Sequence, residues 1–152
     1  MKIKWKDFEL HTLKLLNKIK KNGFKPDVIV AVGNSGLIPA VMVAKALKTK
    51  DFEWIRIYSY NEKNEKIKSR VISSNLSKSL ERKKVLCVDD IVATGETFAL
   101  AKKEILRFNP KEIRFAACIV SQYVCKKYPD YWGETILRNA EDFISLPWDN
   151  FL

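Results

Sequence analysis

The sequence predicts an α/β fold, a doubly wound and mainly parallel sheet flanked by helices. Three observations carry this. Val28-Ile29-Val30-Ala31-Val32 and Val85-Leu86-Cys87-Val88 are uninterrupted apolar runs, the pattern of strands covered on both faces. Each is followed by a turn rich in small residues and then by a helical pattern. A third buried run, Ile113 to Val120, follows the second helix, so the order alternates as βαβ units do.

Taken in order, Trp5, Phe8, Thr12, Leu15, Leu16 and Ile19 form one helical stripe, and Asn22-Gly23 supplies its stop. After the first strand, Gly33-Asn34-Ser35-Gly36 reads as a tight turn. It opens a helix from Leu37 to Leu47, with Pro39 in the first turn, where proline is tolerated. Phe52 to Tyr60 alternates and is β-rich, Asn61 to Lys68 reads as a charged loop or hairpin tip, and Val71-Ile72 predicts a short strand. The second unit has its strand at Val85–Val88, a loop from Asp89 to Thr97, and a helix from Thr97 to Phe108 closed by Asn109-Pro110. From Ser121 onward the chain is rich in aromatics and turn signals, and is expected to fold as a small subdomain over one end of the sheet. The expectation is one domain over 1–152, with a core of about 1–120 and a hood of about 121–152.

The composition narrows the class. With 47% apolar residues the chain can bury a core, and with 30% charged residues it reads as soluble. No apolar stretch approaches the ~18 residues of a membrane span, and the N-terminus lacks the apolar stretch of a signal peptide. Neither a membrane nor a secreted location is expected. Three scattered cysteines, Cys87, Cys118 and Cys125, with no CxxC pair, suit the cytoplasm, and the first two lie inside apolar strands. The net charge of +10 is spread along the chain and mixed with glutamates. It reads as a solvated surface, or more sharply as a positive field that attracts a polyanionic small molecule, and nucleic acid is not an expected partner. His11, the only histidine, sits on the first helix away from every motif.

The chemistry concentrates at Val85-Leu86-Cys87-Val88-Asp89-Asp90-Ile91-Val92-Ala93-Thr94-Gly95-Glu96-Thr97. Open α/β sheets bind ligands beyond the carboxyl ends of their strands. The backbone amides of Ala93 to Thr97 and the two threonine hydroxyls can cradle a phosphate, and the start of a helix favours an anion there. Asp89 and Asp90 would repel that phosphate. They suit the donor hydroxyls of a sugar, or a hydrated Mg²⁺. A phosphate site beside a diol site is what ribose 5-phosphate requires.

This segment resembles the phosphoribosyl pyrophosphate (PRPP) signature of the type I phosphoribosyltransferases: an apolar strand, two acids, two apolar residues, a small residue and Thr-Gly-x-Thr. The resemblance extends along most of the chain and implies that family's fold with a small C-terminal hood. Gly33, Asn34, Ser35 and Gly36 match its pyrophosphate loop. Ser59-Tyr60 match the start of the flexible loop of bacterial xanthine–guanine enzymes, and Ile144-Ser145-Leu146-Pro147-Trp148-Asp149 the end of their hood. The resemblance implies that Asp89 and Asp90 are the catalytic pair, holding the ribose and Mg²⁺. It implies Ala93, Thr94, Gly95, Glu96 and Thr97 as the 5′-phosphate site, and Gln122, Ile144 and Trp148 at the base, Trp148 by stacking. The implied partners are PRPP and a purine base, the products pyrophosphate and a nucleoside monophosphate, and the implied assembly a homodimer or homotetramer.

Three positions depart from the pattern. Relatives carry Arg or Lys where Asn34 stands, and 6-oxopurine enzymes carry Asp at Ala93 and Lys at Gln122. An amide both donates and accepts and pairs with the N6 donor and N7 acceptor of adenine, whereas lysine suits an oxo purine. The length and hood favour an oxo purine instead, so the base stays open. Two alternatives stand beside purine salvage: a non-catalytic PRPP-binding regulator, and a phosphoribosyltransferase for a non-purine base.

Overall fold

A computed structural model describes residues 1–63, 65–137 and 143–151. Three helices cover a six-stranded sheet. The elements are α1 (Trp5–Asn22), β1 (Val28–Gly33), α2 (Leu37–Leu47), β2 (Asp51–Tyr60), β3 (Lys66–Ser74), β4 (Lys84–Val92), α3 (Glu96–Leu106), β5 (Glu112–Ser121) and β6 (Tyr131–Ile136). Short 3-10 turns occupy Lys78–Leu80 and Pro147–Phe151. The strand order is β3-β2-β1-β4-β5-β6. Every pairing is parallel except β2 with β3. The α/β class and the mainly parallel sheet are therefore as the sequence predicts.

The continuous apolar runs are the central strands. All six residues of β1 are buried, because helices cover both of its faces. On one face Phe8, Leu15 and Ile19 of α1 and Ala40 and Val43 of α2 pack on Ile29, Ala31, Leu86 and Val88. On the other, Phe98, Ala101 and Ile105 of α3 pack on Val28, Val30, Val85 and Cys87. Cys87 and Cys118 are buried and unpaired, as expected. Burial of apolar area on both faces is the main stabilising contribution, at roughly 25 cal/mol per Å² removed from water.

Four elements differ from the sequence reading. Trp5 does not join the buried stripe of α1 and is 54% exposed. As the first helical residue its side chain tilts back past the helix end. The segment after Ser59-Tyr60 is a hairpin: β3 runs antiparallel to β2 for nine residues, far longer than Val71-Ile72. Its turn is closed by Asn61, whose Oδ1 accepts from the amides of Lys63 and Glu65 at 2.9 Å each. β4 does not end at Val88 but continues through both aspartates to Val92, because Ile91 and Val92 extend the apolar run and pair with Ile119 and Val120. The aromatic tail also adds a strand, β6, beside β5, before turning back. Ile3 donates to the Ser145 carbonyl at 2.8 Å, which ties the returning tail to the N-terminus. Among the described residues no helix is long and apolar enough to cross a membrane.

Candidate active site

The strand order reverses direction between β1 and β4, which pair directly. At such a point the connections leave the sheet on opposite faces and open a crevice at the carboxyl ends of the strands. Both small-residue turns lie there. Gly33, Asn34 and Ser35 follow β1 and line a cleft with Ser59, Tyr60, Asp89, Asp90 and Thr97. Ala93, Thr94, Gly95, Glu96 and Thr97 line an adjoining cleft that shares Ser59, Tyr60 and Asp89 and adds Lys66 and Ser69. Four separated stretches of sequence thus meet at one crevice.

Asp89 and Asp90 stand on the floor of the crevice. They are 8% and 9% exposed. The Asp90 amide donates to Asp89 Oδ1 at 2.8 Å, and the Ile91 amide to Asp90 Oδ1 at 2.7 Å. Among the described residues neither carboxylate has a cationic partner. Burial pushes the Asp89 carboxyl well above the usual range, and the Asp90 charge adds to it. Asp90 is also raised, again by burial first, with Asp149 of the C-terminal turn contributing repulsion. Two buried carboxylates without a counter-charge are costly unless a cation or hydroxyl donors join them. They suit a sugar diol and a divalent cation, although no cluster of three or more His, Cys, Asp or Glu side chains forms a metal cage among the described residues.

The second turn is shaped for an anion. Gly95 caps α3 with φ 93, a left-handed conformation that glycine adopts without strain. Thr94 Oγ1 accepts from the Glu96 amide at 3.3 Å and fixes the loop. The Glu96 carboxylate turns away to β3, 3.9 Å from Lys66 Nζ and 3.4 Å from Ser69 Oγ. Lys66 thereby offsets a negative charge at the helix N-terminus, where the dipole favours an anion. Lys66, in a charged loop or hairpin tip by sequence, reaches the cleft through the antiparallel return of β3.

At the first turn, the Leu37 and Ile38 amides donate back to Asn34 and Ser35 carbonyls at 3.1 and 3.2 Å. The amides of Asn34 and Ser35 themselves have no acceptor among the described residues. The Gly33–Asn34 peptide bond is cis. No positive side chain extends from this turn.

The three residues expected at a base do not line either cleft. Gln122 is exposed, and its backbone N–H donates to the Ile136 carbonyl at 3.0 Å. Ile144 is buried in the core. The Trp148 indole packs edge-on to Phe8 (ring centroids 4.9 Å apart) and tilted to Trp5 (6.0 Å). Its Nε1 is buried with no partner among the described residues. The neighbouring Asp149 is near enough to raise Asp90, so the end of the tail approaches the crevice from the α1 side. His11 lies 4.0 Å from Glu134, remote from the crevice.

Comparison with known proteins agrees with this geometry. The model of the phosphoribosyl transferase domain family matches residues 4–150. A xanthine-guanine phosphoribosyltransferase of Idiomarina loihiensis is 26% identical over 125 residues, 82% of this chain and 71% of that protein. The transcriptional regulator GfcR of Methanococcoides burtonii is 24% identical over 105 residues, 69% of this chain; the match covers 50% of the regulator, so the chain spans about half of its length. Among solved structures, a purine phosphoribosyltransferase from Pyrococcus horikoshii superimposes with a TM-score of 0.77 at 28% identity, covering 97% of this chain and 92% of that one.

Proposed function

The chain belongs to the phosphoribosyl transferase domain family, and we propose that it transfers ribose 5-phosphate from PRPP to a purine base. The products are a nucleoside monophosphate and pyrophosphate. The observation that carries this reading is the buried, uncompensated Asp89–Asp90 pair beside two small-residue turns, the first with the Asn34 and Ser35 amides free among the described residues.

In this reading Asp89 and Asp90 accept hydrogen bonds from the ribose hydroxyls, and the amides of Ala93 to Thr97 hold the 5′-phosphate. The Gly33 to Gly36 turn receives the pyrophosphate. A ring nitrogen of the base forms the new bond to the anomeric carbon as the bond to the pyrophosphate oxygen breaks, and the base proton leaves to solvent. Asp89 and Asp90 would hold Mg²⁺ through water or the sugar hydroxyls, and the ion would neutralise the departing pyrophosphate. The rest is positioning and electrostatic stabilisation by fixed amides. The β2–β3 hairpin with Ser59 and Tyr60 shields the sugar from water, whose attack would waste PRPP. Trp148, Ile144 and Gln122, which line neither cleft in this structure, would reach the base only with a shift of the C-terminal tail. The Idiomarina and Pyrococcus relatives support a purine, and unpaired Cys87, Cys118 and Cys125 support the cytoplasm. The assembly expected is a homodimer or homotetramer.

The test is pyrophosphate release from PRPP and Mg²⁺ with adenine, hypoxanthine, guanine and xanthine supplied singly. Turnover with adenine assigns the base reading to the Gln122 amide. Turnover with an oxo purine assigns it to another donor. A second reading, a PRPP-binding regulator, is favoured by the match to GfcR and by Asn34 and Ala93 standing where enzymes carry charge. PRPP binding without turnover on any base is the result that selects it.

A further inference from the structure

The pyrophosphate turn carries no cation of its own, yet an arginine stem lies against its first residue. In the parallel register Gly33 sits opposite Arg56 of β2. A Cβ on Gly33 would fall 3.2 Å from Arg56 Cγ, so the arginine stem lies across the first residue of the turn. The side chain has no carboxylate partner among the described residues. It rests on Tyr58, donating to its Oη at 2.7 Å, with the guanidinium carbon 5.4 Å from the ring centroid. Tyr58 itself lines the cleft with Asn34 and Ser35. Arg56 Nε is buried with no acceptor, as is the hydroxyl of Ser73, its cross-strand neighbour on β3.

A half-buried guanidinium with an unsatisfied donor and no counter-ion is a costly arrangement for stability alone. It becomes favourable when an anion arrives. Arginine matches phosphate oxygens with a planar fork of donors, and such charge-assisted bonds are the strong ones. We propose that Arg56 is a pyrophosphate-binding residue, supplying from β2 the positive charge that Asn34 does not supply from the turn. This rests on the phosphoribosyl-transfer reading and adds to it the group that recognises the diphosphate. Tyr58 holds the guanidinium over the turn in the free protein and releases it to the anion. A side chain at Gly33 would crowd that stem.

The experiment compares two probes by calorimetry: magnesium pyrophosphate, and ribose 5-phosphate, which lacks the diphosphate. Arg56→Gln is expected to weaken pyrophosphate binding about 10- to 100-fold, the loss of one or two charge-assisted bonds, and to leave ribose 5-phosphate binding unchanged. Adding Asn34→Arg to that variant is expected to restore pyrophosphate affinity, since it returns a cation to the turn. Unchanged pyrophosphate affinity in Arg56→Gln overturns the proposal while leaving phosphoribosyl transfer intact. Equal loss of both probes also overturns it, because the arginine is then a structural prop. A wild-type protein that binds neither probe overturns the functional reading and this inference together.

Discussion

Gly36 abuts Asp89. A Cβ at Gly36 would lie 2.9 Å from Asp89 Oδ1, 3.1 Å from its Cα and 2.3 Å from the Val32 carbonyl oxygen. The start of α2 is thereby held against β4, and the turn proposed to receive pyrophosphate is locked to a carboxylate proposed to hold the ribose. Gly36 has φ −65, so the demand is for space and not for an unusual backbone.

Gly36→Ala is therefore expected to cost about 1–3 kcal/mol, the range for an atom forced into packed backbone. Urea denaturation reads the stability. PRPP affinity should fall as well, because relief of the contact moves the turn away from Asp89.

Asp89→Asn with Asp90→Asn should abolish PRPP binding and stabilise the free protein at neutral pH. A carboxyl whose folded pKa is raised favours the fold while it is protonated. That contribution is complete below the unfolded value, 3.8 for both aspartates, and is lost as pH rises through the higher folded value. Asparagine cannot ionise and escapes the loss. The variant's advantage in unfolding free energy should thus be small at pH 4 and larger at pH 8. An equal advantage at both, or retained PRPP affinity, would contradict the account.

Gly95→Ala should weaken 5′-phosphate binding. An alanine at φ 93 is strained by roughly 1–2 kcal/mol, and its Cβ would sit 3.3 Å from the Lys127 carbonyl oxygen. Ribose 5-phosphate titration measures the effect, with magnesium pyrophosphate affinity expected to change less.

Trp148→Leu keeps bulk against Phe8 and removes the aromatic face. If the ring stacks on the base, the KM for the base should rise about threefold to tenfold, with the KM for PRPP unchanged. Tryptophan fluorescence in the wild type should change on adding base, and this response should disappear in the variant.

Much of this molecule is legible in its sequence because local patterns report local physics. The apolar runs of β1 and β4 read as buried strands, the limits of α2 are those the sequence predicts, and the crevice residues from Gly33 to Gly36 and from Asp89 to Thr97 announce themselves by type and spacing. β6 was missed because Tyr131-Trp132-Gly133-Glu134-Thr135-Ile136 has neither a clean apolar run nor clean alternation, and an edge strand needs neither. The continuation of β4 through Asp89 and Asp90 was missed for a related reason. Adjacent acids look like loop residues until pairing with β5 buries them.

The sequence by itself determined the class of sheet, the two small-residue turns and the acidic pair, since each is contiguous and each has its own chemical signature. Only the tertiary structure decided which charges attend them. Lys66 enters through the antiparallel return of β3, and Arg56 reaches the turn through strand register alone, 23 residues after Gly33 in the sequence. A lone lysine or arginine carries no local pattern. Its meaning comes from what the fold sets beside it: Glu96 and the second cleft for Lys66, and Gly33 and Tyr58 for Arg56.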